Sequence, residues 1–340
     1  MTWSKQMPKS PVVAVAGATG AVGVEMLRVL AQRRFPASRV VALASSRSAG
    51  KRVPFGDGEL VVEEMTDASF EGVDIALFSA GADVSRHFRD AVVGSGCVMI
   101  DNSSAFRMDE DVPLVVPEVN PDDVAWHAGV IANPNCSTIQ MVVALQPLAG
   151  LAPLKRVVVS TYQAASGAGQ AAMDELYRQT GDFLAGRELA PAAFAHRIAF
   201  NCIPQIDVFL DDGSTKEEWK MVVETRKIMH LPELPVAVTC VRVPVLRCHS
   251  EAVSVEFAGP VSLQEARAAL DRAPGVKVMD DPTSKYYPMP GLLEGTDDTF
   301  VGRLRVDGSV TSGIQMWVVA DQLRKGAALN AVQIAEALLG

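Results

Sequence analysis

The sequence predicts an α/β protein: an N-terminal Rossmann-like, doubly wound domain followed by an α+β domain built on a mixed sheet. Three observations carry this. The chain has 340 residues, more than one hydrophobic core usually supports, so two domains are expected. A valine-rich run leads through a glycine turn into a helical pattern at the start. After residue 136 the alternation of strands and helices changes rhythm.

Residues Pro11–Ala16 (PVVAVA) form a short apolar run expected to be a buried parallel strand. The motif GATGAVG follows at residues 17–23, and then a helical pattern with Met26, Leu27 and Leu30 on its apolar side. Strand, glycine turn and helix together make a dinucleotide-binding motif, although the spacing here is GxxGxxG. Gly17 permits the turn, Gly20 lets backbone approach a pyrophosphate, and Gly23 allows close helix–strand packing. Thr19, Ala21 and Val22 belong to the same phosphate-facing turn, where free N–H groups at a helix start attract anions. A glycine turn that binds nothing is the plain alternative. The next strand, Arg39–Ala44, ends in Ser45, Ser46, Arg47 and Ser48. An acidic residue there would hold a ribose 2′-hydroxyl; Arg47 with Ser48 suits a 2′-phosphate, so NADP(H) is the expected cofactor. Arg47 as a solvated loop residue remains the alternative.

Further strands are expected at Val73–Phe78 and Cys97–Ile100, with a helix near Val84–Val93 between them. Their ends, Ser79–Gly81 and Asp101–Ser104, are candidate cofactor-site walls, since ligands bind beyond the carboxyl ends of such strands. Arg107 follows as a candidate anion-binding residue or a structural loop arginine.

The segment VIANPNCSTI, residues 130–139, is the most informative. Pro134 stops a strand-like approach, capping residues surround Cys136, and Ile139–Leu148 has the pattern of a buried helix. Cys136 thus lies at or near a helix N-terminus, where a thiolate is stabilised. Cys97, Cys202 and Cys240 sit in apolar or strand-like runs and are expected to be small buried hydrophobes; the role of Cys248 stays open. A thiol beside a nicotinamide suits aldehyde chemistry through a thiohemiacetal and a thioester that phosphate or water opens.

Bulk properties narrow the class. Apolar residues make up 49% and charged residues 21%, which describes a folded chain. A net charge of −9 argues against a nucleic-acid surface. Five cysteines without a CxxC pair argue against disulfides and a structural metal site, so no metal is expected. No secretory signal and no membrane-crossing run is visible, which makes a cytoplasmic location the expectation.

In the second domain, strands are expected at Val157–Tyr162, Val236–Val243, Ala252–Phe257 and Ile314–Val319. Helices are expected at Gln170–Thr180, Thr215–Met229 and Leu263–Ala273. Segment 185–204 carries no period and is either an insertion or an intersubunit segment. The last stretch, Asp321–Leu339, has a helical pattern.

The motifs GATGAVG, SSRSAGK, SSAFRM, PEVN, NPNCST, QAASGAG, EEWK, RVPV…HSE and LRKGAALNAVQIAE, in this order, resemble the aspartate-β-semialdehyde dehydrogenase family. The resemblance implies NADPH-dependent reductive dephosphorylation of β-aspartyl phosphate to aspartate β-semialdehyde, toward lysine, methionine and threonine. It implies Cys136 as nucleophile forming a thioacyl intermediate, His249 as acid/base group and Gln163 as the residue orienting the acyl group. Arg242 would pair with the substrate carboxylate and Glu217 with its ammonium, with Glu218 the alternative on sequence alone. Arg107 and Lys220 would bind phosphate. Ser166 and Gly167 would line the nicotinamide end, and Gln322, where many relatives carry Asn, would lie near the cofactor. It further implies a homodimer, and an NADP-binding domain of residues 1–136 completed by 321–340 around a catalytic domain of 137–320. Glu217 and Lys220 share a helix face by spacing, yet without the resemblance they would pass for an ordinary surface ion pair, and His249 for a strand histidine. N-acetyl-γ-glutamyl-phosphate reductase is the nearest rival activity. A non-catalytic nucleotide-binding relative is the rival from another class, disfavoured because Cys136, Gln163, Arg242 and His249 are all present; a cysteine hydrolase is disfavoured by the glycine turn.

Overall fold

Valine-rich segments become strands where both of their faces can be covered, and the computed structural model, which describes residues 3 and 6–340, shows this first in its N-terminal unit. The unit comprises residues 1–135 and 326–340. Its strands are β1 (Val12–Ala16), β2 (Arg39–Ala44), β3 (Arg52–Phe55), β4 (Gly58–Glu64), β5 (Ile75–Phe78), β6 (Val98–Asp101) and β7 (Val130–Ala132). They form one sheet in the order β3-β4-β2-β1-β5-β6-β7, parallel except where β3 pairs antiparallel with β4. Helices α1 (Ala21–Gln32) and α2 (Ala82–Gly94) follow β1 and β5, as βαβ connections demand. The C-terminal helix, Leu329–Ala337, belongs to this unit and buries Leu329, Val332 and Ile334 in the same core as Leu27 and Ile131. Asn330 Nδ2 anchors it to the Val115 carbonyl and to Asn133 Oδ1.

The second unit, residues 136–325, is built on a six-stranded mixed sheet. Its strands are β8 (Leu154–Gln163), β9 (Val236–Arg242), β10 (His249–Phe257), β11 (Val276–Val278), β12 (Thr299–Val306) and β13 (Gly313–Ala320), in the order β11-β12-β13-β10-β8-β9. Its helices are α3 (Cys136–Ala149), α4 (Gln170–Leu184), α5 (Lys216–Ile228), α6 (Leu263–Arg272) and the short α7 (Pro290–Leu293). Along β8 the residues alternate: Val157, Val159, Thr161 and Gln163 are buried, whereas Arg156, Val158 and Tyr162 are exposed. Helix α3 packs on the covered face, and the other face stays partly open.

Most expected elements are present, and the departures have physical causes. The hairpin β3–β4 was not expected; Pro54 inside β3 is tolerated because β3 is the sheet's edge. β12 also escaped notice, since Gly302 and a register shift between Gly302 and Arg305 break its period. The C-terminal helical pattern begins later than Asp321: a π-turn spans Arg324–Ala328 before the α-helix starts. Cys202, expected to be buried, is exposed, because it lies in an irregular stretch between Asn201 and Ile203. Cys97, Cys240 and Cys248 are buried. Among the described residues no helix is long and apolar enough to cross a membrane.

Candidate active site

In the first unit, strand β1 delivers the chain to the 17–23 turn, and the turn shows why glycine stands there. Gly17 has φ +86, and a Cβ on it would run into the Ser79 carbonyl. Gly23 lies in the first turn of α1, and a Cβ there would collide with the Gly17 carbonyl, so it sets helix–turn packing. A cleft of about 510 Å³ opens beside this turn, lined by Gly17, Thr19, Gly20, Ser45, Ser46 and Arg47 among others. That size suits part of a dinucleotide. Ala21 and Val22 open α1 and, like Gly23, are not among the cleft's lining residues. Ser48 Oγ accepts from Lys51 Nζ at 3.3 Å and lies 3.5 Å from Thr19 Oγ1, which joins the two loops above the turn. Ser79 and Ala80 complete a wall as expected from the end of β5, while Glu64 and Met65, at the end of the unforeseen β4, form another.

Arg107 is buried in the same unit. Its Nε donates to the Asn133 carbonyl at 3.0 Å and its Nη2 to the Asn102 carbonyl at 2.8 Å. These bonds fix the guanidinium's plane.

The second unit gathers the remaining site residues, and strand register does the gathering. β8 and β9 run parallel with Thr161 opposite Cys240 and Gln163 opposite Arg242. β10 lies antiparallel to β8 with Glu251 opposite Thr161. Gln163, Arg242, His249 and Glu251 are all buried. Cys136 is the first residue of α3 and is half-buried. Its thiol is coupled by charge to Arg242, as is Glu217. Burial pulls Arg242 down from its usual value, and its coupling to Cys136 and Glu217 opposes this; a guanidinium stays charged regardless.

His249 is fully buried. Its Nδ1 accepts the Ala164 N–H at 3.0 Å, so the neutral ring carries its proton on Nε2. Burial, and then the Arg242 charge, hold this imidazole well below the ordinary histidine range. Arg242 Nη1 donates to the Ala164 carbonyl at 2.6 Å, so the backbone of one residue orients both side chains. Gly167 faces them: a Cβ on it would stand 2.8 Å from Arg242 Nη1 and 3.0 Å from His249 Nε2.

Gln163 Nε2 donates to Thr161 Oγ1 at 3.2 Å and to Glu217 Oε1 at 3.3 Å. Glu217 Oε2 accepts from Lys220 Nζ at 3.2 Å, and Lys220 also donates to Asp207 at 2.7 Å. Glu217 is buried and Lys220 half-buried, unlike a surface ion pair. Burial lowers the Lys220 ammonium, but Glu217 and Asp207 outweigh it and raise it overall. Glu218 is engaged elsewhere: it closes a capping box with Thr215 and accepts the Cys240 N–H at 2.9 Å. Gln322 spans two loops, its Nε2 donating to Ser166 Oγ and its Oε1 accepting the Cys248 N–H. Cys248 has φ +72 just before His249, and burial pushes its thiol up. It is a packed residue, not a reactive one. Sequence reasoning missed Ala164, whose part is played by backbone, Glu251, which sheet register places, and Gln140, which the packing of α3 places.

The family models agree with this division. Residues 12–127 match the semialdehyde dehydrogenase NAD binding domain, and residues 145–325 match the semialdehyde dehydrogenase dimerisation domain. An aspartate-semialdehyde dehydrogenase of Aquifex aeolicus is 55% identical over 331 residues, covering 96% of this chain and 97% of that one. A crystal structure of aspartate semialdehyde dehydrogenase II from Vibrio cholerae, complexed with ASA, superposes with TM-score 0.94 at 47% identity over 98% of both chains. The Candida albicans aspartate semialdehyde dehydrogenase, solved with NADP, has TM-score 0.75 at 25% identity, covering 97% of this chain and 98% of that one. Full-length likeness at this level, on both domains in order, means that the chain belongs to the aspartate-semialdehyde dehydrogenase family.

Proposed function

We propose that the protein reduces β-aspartyl phosphate to aspartate β-semialdehyde with NADPH, releasing phosphate, through a thioester on Cys136. The observation that carries this is the opening of α3 by Cys136 beside the charged Arg242, in the unit where His249 is preset with its proton on Nε2. The helix start and the guanidinium both stabilise a thiolate. The thiolate attacks the acyl carbon, the carbonyl electrons return, and phosphate leaves with the electron pair of its bridging bond. His249 Nε2–H donates toward the oxygen that gains charge, and Gln163 orients the acyl group. Bound NADPH supplies the hydride that takes the thioester to the aldehyde level. Collapse of the resulting thiohemiacetal regenerates the Cys136 thiolate and frees the semialdehyde.

Substrate choice follows from charge. Arg242 suits the α-carboxylate, because a planar guanidinium forks onto it, and Glu217, already held by Gln163 and Lys220, suits the ammonium. Lys220 is assigned to phosphate within this unit, and Arg107 is assigned the same ligand class in the first. NADP over NAD rests on Arg47 and on the serines that follow β2 where an acid would read the 2′-hydroxyl. Ser166, Gly167 and Gln322 carry the nicotinamide assignment. The partly open face of the six-stranded sheet, with exposed Val158 and Tyr162, is assigned to a second copy of the chain, in keeping with the matched dimerisation domain. A reactive thiol of this kind belongs in the reducing cytosol.

The test is reduction of NADP by aspartate semialdehyde, with and without phosphate, and with and without iodoacetamide. Phosphate-dependent turnover that alkylation abolishes is expected. Turnover on N-acetylglutamate semialdehyde alone, or turnover that survives alkylation of Cys136, overturns the reading.

A further inference from the structure

Glu251 is a buried carboxyl that this chemistry leaves unused. It lies on β10 two residues after His249, on the same side of the strand, with 0% exposure. Among the described residues neither of its oxygens has a hydrogen-bond partner of good geometry, and Gln140 Oε1 is buried in the same condition. Orphaned buried polar atoms in adjacent side chains ask for each other. The two are neighbours: burial holds Glu251 well above the usual carboxylate range, and the Gln140 side chain is the group that opposes this. A carboxylic acid has an O–H to donate, and an amide oxygen is a fitting acceptor.

The placement of these two residues gives them meaning. Gln140 stands four residues after Cys136 on α3, one turn along the same face. Glu251 stands two residues after His249 on β10. Gln140 Nε2 also donates to the His249 carbonyl at 3.4 Å. The second pair therefore ties together the two elements whose first residues are the nucleophile and its partner. We propose that Glu251 and Gln140 form a buried clamp between helix α3 and strand β10 that positions His249 relative to Cys136. Neither touches substrate; both are positioning residues. The inference rests on the reaction proposed above only for its activity readout.

The experiment measures kcat, KM and thermal melting for Glu251→Gln, Glu251→Met, Gln140→Met/Glu251→Met and the exchange Gln140→Glu/Glu251→Gln. Glu251→Gln keeps a donor and is expected to stay within about twofold of wild type. Glu251→Met is expected to lower kcat by about 10- to 100-fold with KM nearly unchanged, the penalty of a misplaced reacting group. The double Met variant replaces both polar groups by apolar ones, so its melting temperature should equal or exceed that of wild type while kcat stays low. The exchange should restore kcat. Wild-type kcat in the double Met variant overturns the clamp, as does a Glu251→Gln loss equal to that of Glu251→Met, or kcat that follows melting temperature through all four. Failure of the wild type on aspartate semialdehyde counts against the reaction alone. In that case the rate of Cys136 alkylation, read by peptide mass spectrometry, decides: it should change in Glu251→Met and return in the exchange, and an unchanged rate overturns the clamp.

Discussion

The cleft of the first unit and the polar cluster of the second are built by opposite means. The cleft is open to water: its lining includes glycines at positions 17 and 20, exposed serines after β2 and one exposed cation, Arg47. The cluster consists of side chains removed from water, with Gln163, Arg242, His249 and Glu251 each at least 95% buried. Recognition by backbone tolerates solvent and needs shape. Chemistry by titratable groups needs exclusion of water, because only then does a neighbouring charge count for much. The division predicts that binding and turnover can be broken separately.

The largest effect separates them most sharply. On the reaction proposed above, Cys136→Ser should lower turnover by on the order of a thousandfold or more, since losing the nucleophile removes the whole covalent route. NADP affinity, measured by fluorescence titration, should stay within about twofold. A parallel loss of affinity would show that Cys136 holds structure instead. Gly167→Ala attacks the cluster from an exposed residue beside it. The new methyl would press on Arg242 Nη1 and His249 Nε2, both held by Ala164. Turnover should fall on the order of 100-fold, from a misplacement that overpacking commonly causes. Unchanged kcat would mean the two side chains yield at no cost.

Arg47→Asp works on the other unit. It replaces a cation with the acid that reads a 2′-hydroxyl, so the NADP-to-NAD preference in kcat/KM should fall by about tenfold or more. kcat at saturating cofactor should hold. An unchanged ratio would assign the 2′-phosphate to Ser48 and Lys51.

The same division decides what could be read from the sequence. One side of the cleft is local: a strand, its turn and the segment after the next strand lie within residues 12–48, and Gly17 and Gly23 have a steric reason visible in one motif, whereas the walls at 64–65 and 79–80 come from farther along the chain. Cys136 was legible because Pro134 and a helix start fall beside it. The cluster is non-local. Gln140 and His249 are 109 residues apart, and only the β8–β10 register and the packing of α3 bring them together. His249, Arg242 and Gln163 came into view through resemblance, not through periodicity. Spacing to Lys220 favoured Glu217 over Glu218, and in the structure a capping box occupies Glu218. The hairpin β3–β4 was hidden by Pro54, although the residues 56–58 turn, with Gly56 at φ +57, was a signal available for it.

The smallest effect probes the buried acid by pH. Burial holds the Glu251 carboxyl well above its ordinary value of 4.5 in the folded chain. Below that value both folded and unfolded forms are protonated, and the residue contributes no pH dependence. As pH rises above it, the unfolded carboxyl ionises while the folded one does not, so the folded state binds more protons and stability falls by up to about 1.4 kcal/mol per pH unit. Glu251→Gln removes this slope. Its melting temperature relative to wild type should therefore climb steadily from about pH 5 to 8, by roughly 2–4 °C for each kcal/mol. His249 works in the reverse sense: lowered from 6.5 in the folded chain, it withdraws stability as pH falls below that value. It is present in both proteins and cancels in the difference, as does Cys240, whose raised thiol loses its proton only at alkaline pH. A melting difference that is flat across this range would mean that Glu251 ionises in place, and that the cluster around His249 is wetter than its burial implies.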